Sequence, residues 1–215
     1  MDPPLHVQLE LDQLLHRLAD LRPGTAIVDF GAGSGRVSVP LLQRGYQVTA
    51  VDISPEARGA LEEFVRGRAL GPLETATRLP ADDRFTAIVG ADVLHHVALD
   101  EVLAELYRSL APGGRIVFSE PGAWHPAWYV VVPLLSSWSV ERGILACSLP
   151  SLRRRLALAG FRRISVTGLG ALPLGTLNWW PAACRANLRA GNLPLLRPVA
   201  YRYLIQGWKV DRPAR

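Results

Sequence analysis

A glycine-rich turn stands between a short apolar run and a helical pattern. The run is Thr25 to Phe30, the turn is Gly31-Ala32-Gly33-Ser34-Gly35, and Val37, Val39, Leu41 and Leu42 follow, closed by Gly45. A short apolar run bounded by turn signals reads as a buried strand. Glycines let the chain turn sharply and let a ligand approach the backbone with no Cβ in the way. The amides that open the next helix then face that ligand. Such a junction constrains the fold strongly, because it belongs to open α/β sheets that bind ligands at the carboxyl ends of their strands.

The rest of the chain repeats the alternation. Leu5, Leu9, Leu11, Leu14, Leu15, Leu18 and Leu21 lie near helical spacing and predict an amphipathic helix ended by Pro23-Gly24. Gln47 to Val51 predicts a second strand ending at Asp52, and Ser54-Pro55-Glu56 an N-cap with proline at the first helical position. Further strands are expected at Leu73 to Thr77, Phe85 to Gly90, Arg115 to Ser119, Phe161 to Thr167 and Tyr201 to Val210, with helices at Asp100 to Leu110 and Ser151 to Ala159. Alternating strands and helices imply parallel strands joined by right-handed crossovers. The expected architecture is a doubly wound α/β fold with a mostly parallel seven-stranded sheet and helices on both faces. It is read as one domain over residues 1–215, with an N-terminal helical segment at 1–24.

Spacing narrows the ligand. A dinucleotide fingerprint reads GxGxxG, whereas Gly31, Gly33 and Gly35 read GxGxG, with Asp29 two residues before the first. No Gly-Lys-Ser/Thr follows, which excludes a P-loop. A carboxylate at Asp29 suits the ammonium of a methionine moiety and sits poorly against a pyrophosphate. Asp52 ends the second strand about 20 residues beyond the turn, where a carboxylate accepts hydrogen bonds from both ribose hydroxyls. Ile53 beside it is placed to pack on an adenine face.

Composition removes other classes. The chain has 215 residues, 49% of them hydrophobic and 20% charged, enough for a proper core. Its net charge of +5 comes almost wholly from arginine, and Lys209 is the only lysine. Those arginines are not clustered as in a nucleic-acid module, so no nucleic-acid partner is expected; Arg153, Arg154 and Arg155 read as a solvated helix face. Cys147 and Cys184 form no CxxC pair, so neither a disulfide framework nor a metal site is expected. No run reaches the roughly 20 apolar residues of a membrane span; Ala127 to Leu135 is too short and carries Pro133. No signal-peptide pattern opens the chain, and a cytoplasmic location is expected.

At these residues the chain resembles the class I S-adenosylmethionine-dependent methyltransferases, especially the bacterial group acting on small molecules. The likeness runs from about Leu9 to Thr167. Val28-Asp29-Phe30-Gly31-Ala32-Gly33-Ser34-Gly35 matches the family's first motif without a gap, and Val51-Asp52-Ile53-Ser54 its second-strand end. Leu79-Pro80, Val93-Leu94-His95-His96-Val97 and Leu110-Ala111-Pro112-Gly113-Gly114 match later segments. The resemblance implies S-adenosylmethionine as cofactor and S-adenosylhomocysteine as product. It implies that Asp29 and Gly31, Ala32 and Gly33 hold the methionine end, Asp52 the ribose and Ile53 the adenine. Ala91 would approach the sulfonium end through its backbone. One departure stands out: Thr75 occupies the position where the family often carries an adenine-binding Asp, leaving Thr75 or the backbone of Ala76 to substitute.

Methyl transfer from an activated sulfonium asks the protein mainly for proximity and orientation. A base is required only for a protonated acceptor. His96 and His125 are the candidate bases, and Asp92 is placed to contact substrate or to cap the next helix. Two apolar segments, 121–150 and 168–199, read as lid insertions after strands five and six and hold five of the six tryptophans. Trp124, Trp128, Trp179 and Trp180 are the candidate substrate contacts. A greasy pocket of this kind suits a small aromatic, polyketide-like or isoprenoid acceptor. With Arg185, Arg189 and Arg197, the lid also suits a membrane-resident lipid or quinone. A nicotinamide-dependent oxidoreductase and a non-catalytic cofactor-binding regulator are the alternatives of another class.

Overall fold

The structure, a computed structural model, describes residues 3–210. Seven strands form one sheet in the order β3-β2-β1-β4-β5-β7-β6. They are β1 (Ala26–Phe30), β2 (Gln47–Val51), β3 (Leu73–Ala76), β4 (Phe85–Ala91), β5 (Leu110–Pro121), β6 (Arg162–Leu169) and β7 (Arg202–Trp208). β1 to β5 pair in parallel, while β7 enters antiparallel between β5 and β6. The expected sheet is therefore correct as mostly parallel, and its single reversal lies at the last strand.

Side-chain alternation in the strands feeds two apolar layers. Ile27, Val48, Ala87, Val117 and Leu204 pack under α1 (Leu5–His16), α2 (Ser38–Gln43) and α3 (Pro55–Gly67). Val28, Ile88, Ile116, Phe118 and Ile205 pack under α4 (Leu99–Ser109) and α7 (Leu149–Leu158). Ser54 accepts from the Ala57 amide at 3.0 Å and so caps α3 as its sequence predicts. Losing such a cap costs about 1 kcal/mol. α1 stops at His16, five residues before the end expected from its leucines, because Arg17 to Leu21 continue as turns. β5 starts earlier than expected, at Leu110, and its pairing to β4 shifts register across Pro112-Gly113-Gly114.

Two long connections leave the carboxyl edge of the sheet. The first follows β5 and contains α5 (Trp128–Leu135) and α6 (Trp138–Glu141) before α7. The second follows β6 and contains α8 (Pro181–Ala190). They are stitched together by the Gly122 amide on Tyr201 O at 2.9 Å and the Trp128 indole on the same oxygen at 3.1 Å. Among the described residues no helix is long and apolar enough to cross a membrane. Cys147 and Cys184 are both free and buried.

Candidate active site

The glycine turn lies where the sequence places it, at the carboxyl end of β1. Gly31 has φ of +73°, and a Cβ there would run into the Val93 side chain. The amides of Gly31 and Ala32 donate to Val51 O at 2.8 and 3.1 Å, tying the ends of β1 and β2 together. The Gly33 amide donates to Asp52 Oδ2 at 2.7 Å, and the Ser54 amide to Asp52 Oδ1 at 2.9 Å. Asp52 thus clamps the turn to the start of α3 while its carboxylate keeps further lone pairs. Beside it opens a cavity of about 560 Å³ walled by Phe30, Gly31, Asp52, Ile53, Leu79 and Val93. Ile53, 85% exposed, forms its outer wall. Arg78, Glu105 and Arg108 also reach its lining, so mostly apolar walls surround a few polar groups, the general make-up of a small-molecule site.

Asp29 lies one strand residue below that cavity and is almost wholly buried. Ser38 Oγ donates to its Oδ2 at 2.6 Å, while Oδ1 has no partner among the described residues. Burial pushes its pKa up to about 6, against the opposing hydrogen bond from Ser38. A buried carboxylate oxygen without a donor is costly. It fits a ligand that brings a cationic donor, such as the ammonium of a methionine moiety. Ser38, nine residues after Asp29, is a site residue that the sequence pattern passed over.

Asp92 follows β4 in a left-handed conformation, φ +58°. Its oxygens meet Arg36 at 2.7 Å and Arg202 at 2.6 Å, and Arg202 Nε reaches Glu10 at 2.9 Å. Burial opposes ionisation of Asp92, but the two guanidiniums outweigh it and hold its carboxyl below the usual range. Ala91 lies beside this network, facing Arg36 and Val37 across a small crevice. Arg202 and Glu10 come from opposite ends of the chain, and no local pattern joins them.

A second cavity of about 290 Å³ opens on the other side of His96. Asp92, His95, His96, Trp128, Val131, Val132, Glu141 and Ile144 line it. His96 borders both cavities. His95 is buried, with Nδ1 at 2.6 Å from Glu120 Oε2 and Nε2 at 3.4 Å from Glu141 Oε2. Glu120 Oε1 accepts the amides of Val93 and Leu94. His95, His96 and Glu141 bring their ligand atoms within 4.8 Å of one another. Carboxylates face both nitrogens of His95, Glu120 at hydrogen-bond distance and Glu141 farther off, and the His96 ring packs against the His95 ring with centroids 3.9 Å apart. Glu141, on the first connection, had no signal in the sequence. Trp128 stacks on Tyr201 with centroids 4.5 Å apart and rings 11° from parallel.

Several expected site residues lie elsewhere. His125 lines neither cavity. Its Nδ1 accepts the Ala127 amide at 3.1 Å and its Nε2 faces Ala171 O at 3.3 Å, so it pins the two connections together. Burial lowers its pKa. Thr75 turns away to Glu62, and the Ala76 carbonyl accepts the Asp52 amide. The cavity wall on that side is Thr77 and Arg78. Trp124 is half exposed, and Trp179 and Trp180 face solvent, 77% and 55% exposed. None of these three tryptophans reaches either cavity; the tryptophan that does is Trp128 on α5.

A doubly wound sheet with a GxGxG turn, a strand-end aspartate and two neighbouring cavities is the architecture of the methyltransferase class. The chain belongs to the methyltransferase domain family, whose model matches residues 5–166. It is 36% identical over 116 residues to a demethylmenaquinone methyltransferase of Streptomyces avermitilis, covering 52% of this chain and 48% of that protein. It is 32% identical over 113 residues to an uncharacterized methyltransferase of Geobacillus kaustophilus, covering 51% and 52%. The chain thus spans about half the length of these relatives. Its fold is similar to phosphoethanolamine N-methyltransferase 2 of Haemonchus contortus in complex with S-adenosyl-L-methionine. That likeness has a TM-score of 0.72 and 17% identity, over 94% of this chain and 53% of that one. A geranyl diphosphate methyltransferase in complex with the same cofactor superposes with a TM-score of 0.65 and 21% identity, over 94% and 85%. The family match favours methyl transfer over the nicotinamide-dependent and non-catalytic alternatives.

Proposed function

We propose that this chain transfers a methyl group from S-adenosylmethionine to a small lipophilic or aromatic acceptor and releases S-adenosylhomocysteine. The observation that carries this reading is the pair of cavities meeting at His96, one beside Gly31 and Asp52 and one mostly apolar. When bound, the cofactor supplies a methyl group already activated on a sulfonium. The protein's part is to hold and orient. Asp52 takes the ribose hydroxyls, Asp29 Oδ1 takes the ammonium, and the backbone of Gly31, Ala32 and Gly33 leaves room for the methionine end. Ile53, Leu79 and Val93 enclose the base, with Thr77 and Arg78 at its edge in place of Thr75 and Ala76. Ala91 and the Arg36–Asp92 pair flank the carboxylate end.

On the acceptor side, Trp128, Val131, Val132 and Ile144 supply the greasy wall, and the connections 121–150 and 168–199 act as lids. Asp92 and Glu141 offer polar contacts. His96, exposed at the seam of the two cavities, takes the proton of a phenol or alcohol acceptor. The reaction is placed inside the cell, which the two free cysteines support.

A second reading has the acceptor dissolved in a membrane, as a lipid or quinone. Tyr129, Val130 and Leu134 of α5 favour it, since they are exposed beside the acceptor cavity.

Calorimetric titration tests the first reading. S-adenosylmethionine and S-adenosylhomocysteine should bind one to one and NAD should not. Binding of NAD alone would overturn it. A labelled-methyl assay over aromatic, isoprenoid and quinone acceptors then separates the two acceptor classes.

A further inference from the structure

From Arg142 to Val210 the chain has eleven arginine or lysine residues and no aspartate or glutamate. This acid-free stretch includes the whole second connection. Among the described residues, the large apolar side chains that are exposed lie within the segments 124–145 and 172–199 except for Ile53, Phe64, Leu158 and Val210. Arg162, Arg163 and Lys209 lie at the amino edge of the sheet, but apolar exposure and the basic charge of the second connection, Arg185, Arg189 and Arg197, are concentrated at the other end of the molecule. That end is the carboxyl edge of the sheet, where both connections leave and both cavities open.

The details match an interfacial surface. Trp179 and Trp180 are adjacent at the start of α8, with ring centroids 5.9 Å apart. Leu193 and Leu195 follow its end, and Leu195 is 91% exposed. Arg185 and Arg189 stand exposed on α8 between these two apolar groups. Among the described residues neither makes an ion pair. Indole rings prefer the boundary between hydrocarbon and headgroup, and arginine beside them is drawn to anionic lipid. The α8 segment is too polar and too short to insert across a bilayer, so it lies on the surface.

We propose that the α8 segment, residues 172–199, is a membrane-docking surface that seats on an anionic bilayer, with Trp179, Trp180, Leu193 and Leu195 in the headgroup boundary and Arg185 and Arg189 against lipid phosphates. Docking turns the mouth of the acceptor cavity toward the bilayer, so a lipophilic acceptor passes from lipid to His96 without crossing water. The docking follows from the surface alone. Delivery of an acceptor rests on the proposed methyl transfer.

Co-sedimentation of the full chain with phosphatidylcholine vesicles, with and without phosphatidylglycerol, tests this. Binding should require the anionic lipid, fall as salt rises and shift tryptophan emission to the blue. Arg185→Glu with Arg189→Glu should weaken it at least 25-fold, since one basic residue beside an anionic leaflet is worth about fivefold. Trp179→Ala with Trp180→Ala should weaken it tenfold or more. Leu158→Ala, exposed at the opposite end of the sheet, should leave it unchanged, and circular dichroism should show every variant folded. No vesicle binding, or binding that ignores the α8 variants, overturns the proposal. So does a dimer that Trp179→Ala with Trp180→Ala breaks into monomers, since the face would then join two chains. Titration of the same samples with S-adenosylmethionine separates the two readings. Vesicle binding without cofactor binding would end the methyltransferase reading and leave the docking surface standing.

Discussion

His95 Nδ1 and Glu120 Oε2 are 2.6 Å apart in the interior and share one hydrogen bond. The other oxygen of Glu120 accepts the amides of Val93 and Leu94. One side chain on β5 thereby fixes the turn after β4 that presents His96 to both cavities. Glu120→Gln must place an NH₂ against either His95 Nδ1 or the two amides. The expected loss is about 1–3 kcal/mol of stability, the cost of an unsatisfied buried donor. Thermal denaturation reads it, and turnover should fall with cofactor affinity little changed.

Asp52 clamps Gly33 and Ser54 and also lines the cavity proposed for the cofactor. Asp52→Ala should weaken S-adenosylmethionine binding by about 1.5–3 kcal/mol, the scale of hydrogen bonds to a charged group. Calorimetry checks this, and unchanged affinity would remove Asp52 from the site.

Asp29 sets a pH dependence. Its folded pKa of about 6 lies above the ordinary 3.8 because the carboxyl is buried. The folded state therefore holds a proton that the unfolded state releases from about pH 4 upward. This group's stability contribution is greatest below pH 4 and declines until about pH 6. A cationic ligand pairs with the ionised form, so cofactor affinity should fall up to tenfold per unit as pH drops below about 6. Asp29→Asn should bind weakly at all pH and lose that slope. An identical slope in the variant would assign the titration to another group.

Arg202 is buried between Glu10 and Asp92, whereas Arg36 is 41% exposed at the far side of Asp92. Arg202→Met leaves the buried Glu10 without a cationic partner, while Asp92 keeps Arg36, and should cost about 3 kcal/mol. Arg36→Met should cost less than about 1 kcal/mol. Chemical denaturation of the two variants decides whether burial sets the difference.

Trp128 is the tryptophan that reaches the acceptor cavity, stacked on Tyr201. Trp128→Ala should raise acceptor KM several-fold with cofactor Kd unchanged. Trp124→Ala should leave both unchanged. Equal loss of acceptor and cofactor binding in Trp128→Ala would mark a purely structural stack.

The proposed cofactor half of the site shows in the sequence as one continuous pattern because it is local. Asp29, Gly31, Gly33 and Asp52 lie on one strand-turn-helix-strand unit, where spacing along the chain is spacing in the fold. Thr75 and Ala76 stand two residues before the cavity wall, because β3 ends at Ala76 and the turn beyond it supplies Thr77 and Arg78. The proposed acceptor half has no such local pattern. Tryptophan content marked the right connections but not which rings face inward: Trp128 does, while Trp179 and Trp180 turn to solvent.

Sequence alone determined the alternating fold, the strand-end cofactor turn and its chemical preference, because hydrophobic periodicity and glycine spacing act over short stretches. Only tertiary structure decided that Glu10, Asp92 and Arg202 share one buried network, that Glu120 and Glu141 flank His95, and that His125 is a brace. Those pairings span 25 to 192 residues of chain. They exist only after the sheet has closed and the two connections have packed over its edge, and no local propensity records them.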